Sequence, residues 1–475
     1  MTITKKLCAA ASLFLMLNGC AMAPEYLRPG LPVTDEFPIS EAQKAELNAD
    51  DTRSGLISDL GWRDVFTDPG LQELIKLSLT NNRDLRETAL NVEAYQAQFR
   101  IQRSALFPNI SGDASGIKQR GPTSGGAATS ESYSLEVAST SYELDFYGRI
   151  RNLNDQALEQ YLALEETRKS ATISLIAEVA NAYITWLTDR ELLYITEQTR
   201  QVEEDSYRLI QQRVDAGIAN QLDLAQARTS LESVKANSAL YRRQVLQDLH
   251  NLTLLIGTSL PQTILSEIGS LQEFEPLSVM PSAVSSEVLL QRPDIMAAEH
   301  ELIGANANIG AARAAFFPTV RLTASAGIGS SDLSELFDSG NGSWLFSPSI
   351  SLPIFTAGKL QAELDVAKIQ KELYVVRYEK AIQTAFREVS DALSASETYQ
   401  QQLIAQQANL LANEEYYSHA SNRYQQGVDS FLTLLDAQRS LYSSRQNYLT
   451  LKRAQLENQV TVYKVLGGGW KEYTK

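Results

Sequence analysis

Residues 149–216 read RIRNLNDQALEQYLALEETRKSATISLIAEVANAYITWLTDRELLYITEQTRQVEEDSYRLIQQRVDA, a run of 68 residues without glycine or proline. Ala, Leu, Glu, Gln and Arg dominate it; these are helix formers, and nothing inside the run breaks a helical backbone. One continuous helix of this length would extend about 100 Å at about 1.5 Å per residue, more than a compact globule needs. Ile176, Val179, Tyr183 and Trp186 recur at alternating intervals of three and four, the spacing of a coiled-coil seam.

A second run, 359–426, repeats the pattern with Ile382, Phe386, Val389 and Leu393. Gln400 and Gln407 interrupt this seam, which suits loose antiparallel packing in a large assembly better than a tight zipper. The likeness extends outward in both directions. With one shift of 210 residues and no gap, Asp84 falls on Asp294, Arg103 and Pro108 on Arg313 and Pro318, Gly148 on Gly358, and Arg213 and Gly217 on Arg423 and Gly427. Leu222, Leu224, Ala227 and Leu231 fall on Leu432, Leu434, Ala437 and Leu441, and Gly257 on Gly467. The chain is a tandem duplication. Each long run leads through a turn containing Gly217 or Gly427 into a second clean stretch that ends at Gly257 or Gly467. Each repeat is therefore expected to hold a long helical hairpin, with the turn glycine in the left-handed position that closes a helix.

Between Pro108 and Gly148, and between Pro318 and Gly358, the helical period disappears. Val320, Leu322, Ala324, Ala326 and Ile328 alternate with Thr319, Arg321, Thr323 and Ser325, and Trp344, Phe346, Ile350, Leu352 and Ile354 alternate with Ser347, Ser349 and Ser351. Period two with a Gly-, Ser- and Asp-rich link predicts a strand hairpin at about 319–355. A weaker version at about 109–146 places strands at 110–118 and 133–146, with a flexible loop at 121–126.

The N-terminus has Lys5 and Lys6, an apolar run from Leu7 to Leu17, and Asn18-Gly19-Cys20, which reads as a bacterial secretory signal over 1–19. A small residue directly before a cysteine resembles the lipobox of bacterial lipoproteins, which makes Cys20 the expected lipid anchor, and Ala21 rather than aspartate points to outer-membrane sorting. Cys8 lies within the signal, so the mature chain has no disulfide. Cleavage removes two lysines and no acid, moving the net charge from −15 to −17, which argues against nucleic-acid binding. No later apolar run approaches the roughly 20 residues of a membrane helix. Membrane insertion would then require strands in a closed barrel. Four strands per chain are fewer than the roughly eight of the smallest membrane barrels, so the barrel is expected to be shared between subunits. Two subunits would give eight strands and three would give twelve; counting leaves both open.

Several motifs, in order along the chain, resemble one family. They include Cys20-Ala-Met-Ala-Pro-Glu-Tyr26 with Arg28-Pro29, Gly61-Trp62 through Phe66-Thr-Asp-Pro69, Asn81-Asn-Arg-Asp84 and Tyr142-Glu-Leu-Asp-Phe-Tyr-Gly148-Arg149. Arg292-Pro-Asp294, Asn306-Ala-Asn-Ile-Gly310-Ala-Ala-Arg313, Leu352-Pro-Ile-Phe355, Leu434-Leu-Asp-Ala-Gln-Arg439 and Leu466-Gly-Gly-Gly469 follow. Together they resemble the TolC-like outer-membrane channels, and within them the OprM/NodT-type lipoproteins of tripartite RND efflux pumps. The resemblance implies a mainly α fold with a small membrane β part. Two tandem repeats would form a long α-helical periplasmic barrel and a shared 12-stranded transmembrane β-barrel in a homotrimer. A periplasmic adaptor and an inner-membrane RND transporter would be its partners. The implied layout is a lipid-anchored extended segment at 20–70, repeats at 71–257 and 293–467, an equatorial segment at 258–292 and a tail at 468–475.

The same resemblance marks Tyr424, Asp436 and Arg439 as a periplasmic gate, with Arg213, Asp215 and Asp223 as further gate partners. It also marks the turns at Gly217 and Gly427 as adaptor-docking surfaces. From spacing alone, Asp436 and Arg439 share one helical face, and the plain alternative is an exposed intrahelical pair worth about 0.3–0.5 kcal/mol. His250, His300 and His419 stand singly, no catalytic constellation or metal-ligand cluster is present in the sequence, and no cofactor is expected beyond the lipid on Cys20. The expected function is the exit duct of a drug-efflux pump. The alternatives are a channel for protein or peptide secretion and a non-conducting structural lipoprotein.

Overall fold

The computed structural model describes residues 22–38, 60–261, 271, 274 and 285–473; the signal sequence, Cys20 and most of the inter-repeat segment lie outside them. In chain order come α1 (Trp62–Val65), α2 (Pro69–Asn81), α3 (Arg83–Ser104), β1 (Ser111–Thr123), β2 (Gly126–Leu144), α4 (Arg149–Asp215) and α5 (Gln221–Ile256). The second repeat contributes α6 (Pro293–Ala314), β3 (Thr319–Ser330), β4 (Gly342–Ser351), α7 (Lys359–Gln425) and α8 (Phe431–Val465). The two runs without helix breakers are each one uninterrupted helix of 67 residues, α4 and α7.

Two compact units divide the described residues: those within 1–30, 90–166 and 296–380, and those within 31–89, 167–295 and 381–475. These units cut across the sequence repeats, because each long helix serves both. The repeats are units of sequence rather than separate compact bodies.

The first unit holds one antiparallel sheet in the order β1-β2-β3-β4. Here one expectation changes. The 121–126 segment is not a free loop: β1 and β2 stay paired to Thr123 and Gly126, so the turn is reduced to Ser124 and Gly125. Gly126 takes φ 115, which lets the ladder close that tightly. Pro122 is tolerated because β1 is an edge strand, where a missing N–H breaks no second ladder. In the same unit, residues 22–28 lie along α6. Arg28 grips Glu299 with two bonds of 2.7 Å, Tyr26 donates to the same carboxylate, Asn306 donates to the Pro24 carbonyl and Arg313 to that of Met22.

The second unit is a helical core. Ile176, Val179, Tyr183 and Trp186 on α4, and Ile382, Val389 and Leu393 on α7, are buried as their spacing predicts. Phe386 is half-buried and stacks on Phe37 at 4.9 Å. Full burial of each large side chain contributes about 1.5–3 kcal/mol, so the seam can fix helix register without disulfides. Arg292, from the Arg-Pro-Asp motif, is buried and donates to Asp294, to Glu388 and to the Val465 carbonyl at 2.7–3.1 Å. That motif is a structural clamp.

Candidate functional sites at the hairpin tips and in the sheet

The two hairpin turns are near copies. Gly217 (φ 74) and Gly427 (φ 77) occupy the left-handed position; their amides bond to Val214 and Tyr424 carbonyls, and the next amides, Ile218 and Val428, reach back to Arg213 and Arg423. This satisfies the last helix carbonyls, as the turn chemistry requires. Asn220 and Ser430 then cap α5 and α8 with their side chains. Arg423 and Asp429 form a two-bond ion pair across the second turn, at 2.6 and 2.9 Å. Ile218, Leu222, Val428 and Leu432 are exposed at matching positions of the two turns.

Behind the turns, Ile210, Ala227, Tyr424, Phe431, Leu434 and Leu435 form a buried apolar cluster drawn from both hairpins. Tyr424 is the polar centre of that cluster. Its hydroxyl accepts from Arg213 Nη1 at 2.9 Å, the guanidinium carbon lies 5.1 Å from the ring centre, and Phe431 packs on the ring at 5.9 Å. Burial raises the Tyr424 pKa; the Arg213 charge opposes this and the Asp223 charge adds to it. The structure therefore brings Tyr424, Arg213 and Asp223 together. Asp215 instead accepts from Gln211 at 2.9 Å.

Asp436 and Arg439 are both exposed, and no ion pair joins them among the described residues. Asp436 accepts from the Tyr416 hydroxyl at 3.1 Å. Arg439 acts electrostatically on Glu203, whose carboxyl burial pushes up while Ser230 and Arg439 pull it down. Sequence reasoning missed Tyr416 and Glu203. One signal was legible: Asp189, Thr196, Glu203 and Ile210 are spaced by seven and all buried, so polar residues occupy a core register of α4. His300, by contrast, is explained by its contact with Glu159 at 2.6 Å.

The sheet sorts its residues by face. Cross-strand partners point to the same side, and the register pairs Leu135 with Ile328, Val137 with Ala326, Ala324 with Phe346, Ala326 with Trp344, and Val320 with Ile350. One face is therefore mainly apolar from Leu135 on β2 across β3 and β4, with Trp344 and Ile350 81% and 71% exposed on it, while Glu131 lies on it nearer the β1-β2 turn and Leu345 lies on the other face. The opposite face carries Ser134, Glu136, Arg321, Thr323, Ser325, Ser347 and Ser349. A bulge between Ser139 and Tyr142, with Ser141 at φ 56, inserts one residue so that Tyr142 and Leu144 rejoin the apolar face. Gly327 is obligatory: a Cβ there would meet the Leu135 carbonyl oxygen at 2.2 Å. Among the described residues no helix is long and apolar enough to cross a membrane, and no cluster of His, Cys, Asp and Glu is placed to hold a metal.

Residues 74–258 and 284–468 match the family model described as outer membrane efflux protein, once per repeat. The chain belongs to that family. It is 46% identical over 476 residues to the antibiotic efflux pump outer membrane protein ArpC of Pseudomonas putida, covering 99% of this chain and 97% of the relative. The same values hold for the toluene efflux pump outer membrane protein TtgC of that species. The open state of the MtrE outer membrane channel of Neisseria gonorrhoeae superposes with a TM-score of 0.85 at 38% identity, over 96% of this chain and 100% of that one. As an outer membrane efflux protein, the chain is the outer-membrane channel component of an efflux pump.

Proposed function

We propose that three copies of this chain share one 12-stranded membrane barrel and conduct small toxic molecules, among them antibiotics and organic solvents, to the exterior. The observation that carries this reading is the sheet: one mainly apolar exposed face, one mainly polar face, and edges at β1 and β4 that have no partner strand within the described chain. Open edges are not tolerated in lipid, so closure must come from other copies. Val366, Ile369, Leu373 and Val376 form an exposed apolar stripe on α7 at three- and four-residue spacing, which supports a helix-to-helix contact between subunits. The cargo class rests on the names of the antibiotic and toluene efflux relatives.

An inner-membrane RND transporter and a periplasmic adaptor feed the duct in this reading. The exposed Ile218, Leu222, Val428 and Leu432 give the adaptor a repeated apolar contact at the turns of Gly217 and Gly427. Tyr424, Asp436 and Arg439, with Arg213, Asp215 and Asp223 beside them, narrow the entrance. Cys20 carries the lipid. That assignment is supported by the hold of α6 on residues 22–28, since Met22 bonds to Arg313 only a few residues before β3 begins. The protein has no catalytic task in this reading.

Purified in mild detergent, the protein is expected to have three times the protomer mass and to form ion-conducting channels in planar bilayers. A stable conducting monomer would contradict the shared barrel. A trimer that never conducts would favour a structural lipoprotein instead.

A further inference from the structure

The polar face of the four-stranded sheet carries few charges, and they are unequally matched. Cross-strand register puts Asp113 opposite Glu136, and Glu143 opposite Arg321, whose neighbour on the other side is Ser349. Arg321 is the one cation on this face among the described strands, since Lys118 and Arg120 alternate onto the other face with Glu131 and Thr129. Its side chain is 53% exposed, and its Nε lies 4.0 Å from Glu143 Oε2. That distance is beyond a hydrogen bond.

Glu143 is already engaged. Arg149, the first residue of α4, donates to both of its oxygens at 2.7 and 2.8 Å, and the Glu143 side chain is only 10% exposed. Arg151 is matched in the same way, to Asp145 at 3.3 Å, again an acid six residues back in the chain. Arg321 has no such acid of its own, so the group of Glu143, Arg149 and Arg321 carries one surplus positive charge. Its guanidinium keeps a planar fork of N–H donors, the geometry that fits a carboxylate, phosphate or sulfonate. The side chains that flank it on this face, Thr323, Ser347 and Ser349, are neutral hydroxyls.

We propose that Arg321 is a specificity-determining residue of the channel: three copies form a ring of guanidinium groups in the lumen that favours the anionic groups of passing solutes over cations. This role rests on the shared barrel, with the sheet's polar face turned inward. A barrel of twelve strands, about 4.8 Å apart and tilted by about 40°, has a radius of about 12 Å to the backbone. An arginine side chain spans several ångströms of that radius, so the lumen axis lies within one Debye length of each guanidinium, about 10 Å at 0.1 M salt. Glu136 pairs with Gly327, six residues along β3 from Arg321 or roughly 20 Å away. The acids Asp113 and Glu136 therefore do not cancel the ring at its own depth.

The test measures reversal potentials of the full-length protein in planar bilayers, under gradients of KCl and of potassium benzenesulfonate. Wild type is compared with Arg321→Gln and Arg321→Thr, which remove the charge, with Arg321→Lys, which keeps it, and with Glu136→Gln as a calibration of opposite sign. At 0.1 M salt both neutral variants should raise the cation-to-anion permeability ratio about threefold. The shift should shrink at 1 M, where the Debye length is only about 3 Å. Arg321→Lys should keep the wild-type ratio, and Glu136→Gln should lower it. Conducting neutral variants with the wild-type ratio would overturn the proposal, whether or not Glu136→Gln shifts it. An equal shift in Arg321→Lys would also overturn it, because the effect would then follow side-chain shape rather than charge. A trimer that conducts in no form would sink the duct reading, and this role with it.

Discussion

Replacing Tyr424 with phenylalanine removes one hydroxyl and nothing else from the tip cluster. The ring, its packing on Phe431 and its attraction to the Arg213 guanidinium remain, so the loss is the 2.9 Å bond from Arg213. A hydrogen bond to a charged group contributes about 1.5–3 kcal/mol. Arg213 is only half-buried, and solvent screening reduces this to about 1 kcal/mol per chain. If, as the proposed gate requires, this bond is made only in the closed state and three chains open together, the closed state loses about 3 kcal/mol, and at about 1.4 kcal/mol per factor of ten the closed-to-open ratio falls roughly a hundredfold. Single-channel recording in planar bilayers should show that change as a higher open probability, and cells should become susceptible to bulky hydrophilic antibiotics. Arg213→Met should act in the same direction and further, because it also loses the ring attraction, about 0.5–1 kcal/mol. Thermal stability should change by only a few degrees, since the long helical seams are untouched. If both variants assemble and their open probability matches wild type, the Arg213–Tyr424 contact is simple packing and the gate assignment of Tyr424 fails.

Asp436→Ala combined with Arg439→Ala removes the contacts to Tyr416 and the field on Glu203, and should raise conductance while trimer yield and melting temperature stay near wild type. The net charge of −15 suggests that the opened channel should prefer cations, a preference that fades as salt screens that charge; unchanged conductance would return the pair to ordinary surface charges. Cys20→Ala should abolish incorporation of radiolabelled palmitate, and persistent labelling would show that the lipid sits elsewhere. Asp248 is expected to make stability depend on pH: burial first, then the charge and hydrogen bond of Asp189, push its carboxyl up to about 7, with Arg453 opposing. The unfolded chain releases that proton near about pH 3.9, so stability should fall as pH rises from about 4 to 7. Asp248→Asn should therefore melt several degrees above wild type at pH 8 but not at pH 5, and parallel pH curves would refute the assignment.

Much of this architecture is local, and local features are legible in a sequence. The absence of glycine and proline from 149–216 and 359–426, the seam at Ile176, Val179 and Tyr183, and the duplication at a constant shift determine the long helices and their buried stripes. The turn glycines at 217 and 427 were readable for the same reason, since a left-handed helix end favours the residue without a Cβ. Other features depend on residues far apart in the chain. The close of the β1-β2 turn, the bulge at Ser141 that returns Tyr142 and Leu144 to the apolar face, and the need for glycine at 327 arise from cross-strand register, which a single strand's alternation does not specify. The same holds at the tips. The spacing of Asp436 and Arg439 left open a pair within one helix, the plain alternative to a gate, but side chains pair with whatever the tertiary packing brings nearest. Packing of the two hairpins set Tyr416 against Asp436, Arg213 against Tyr424, and the charge of Arg439 against the buried Glu203.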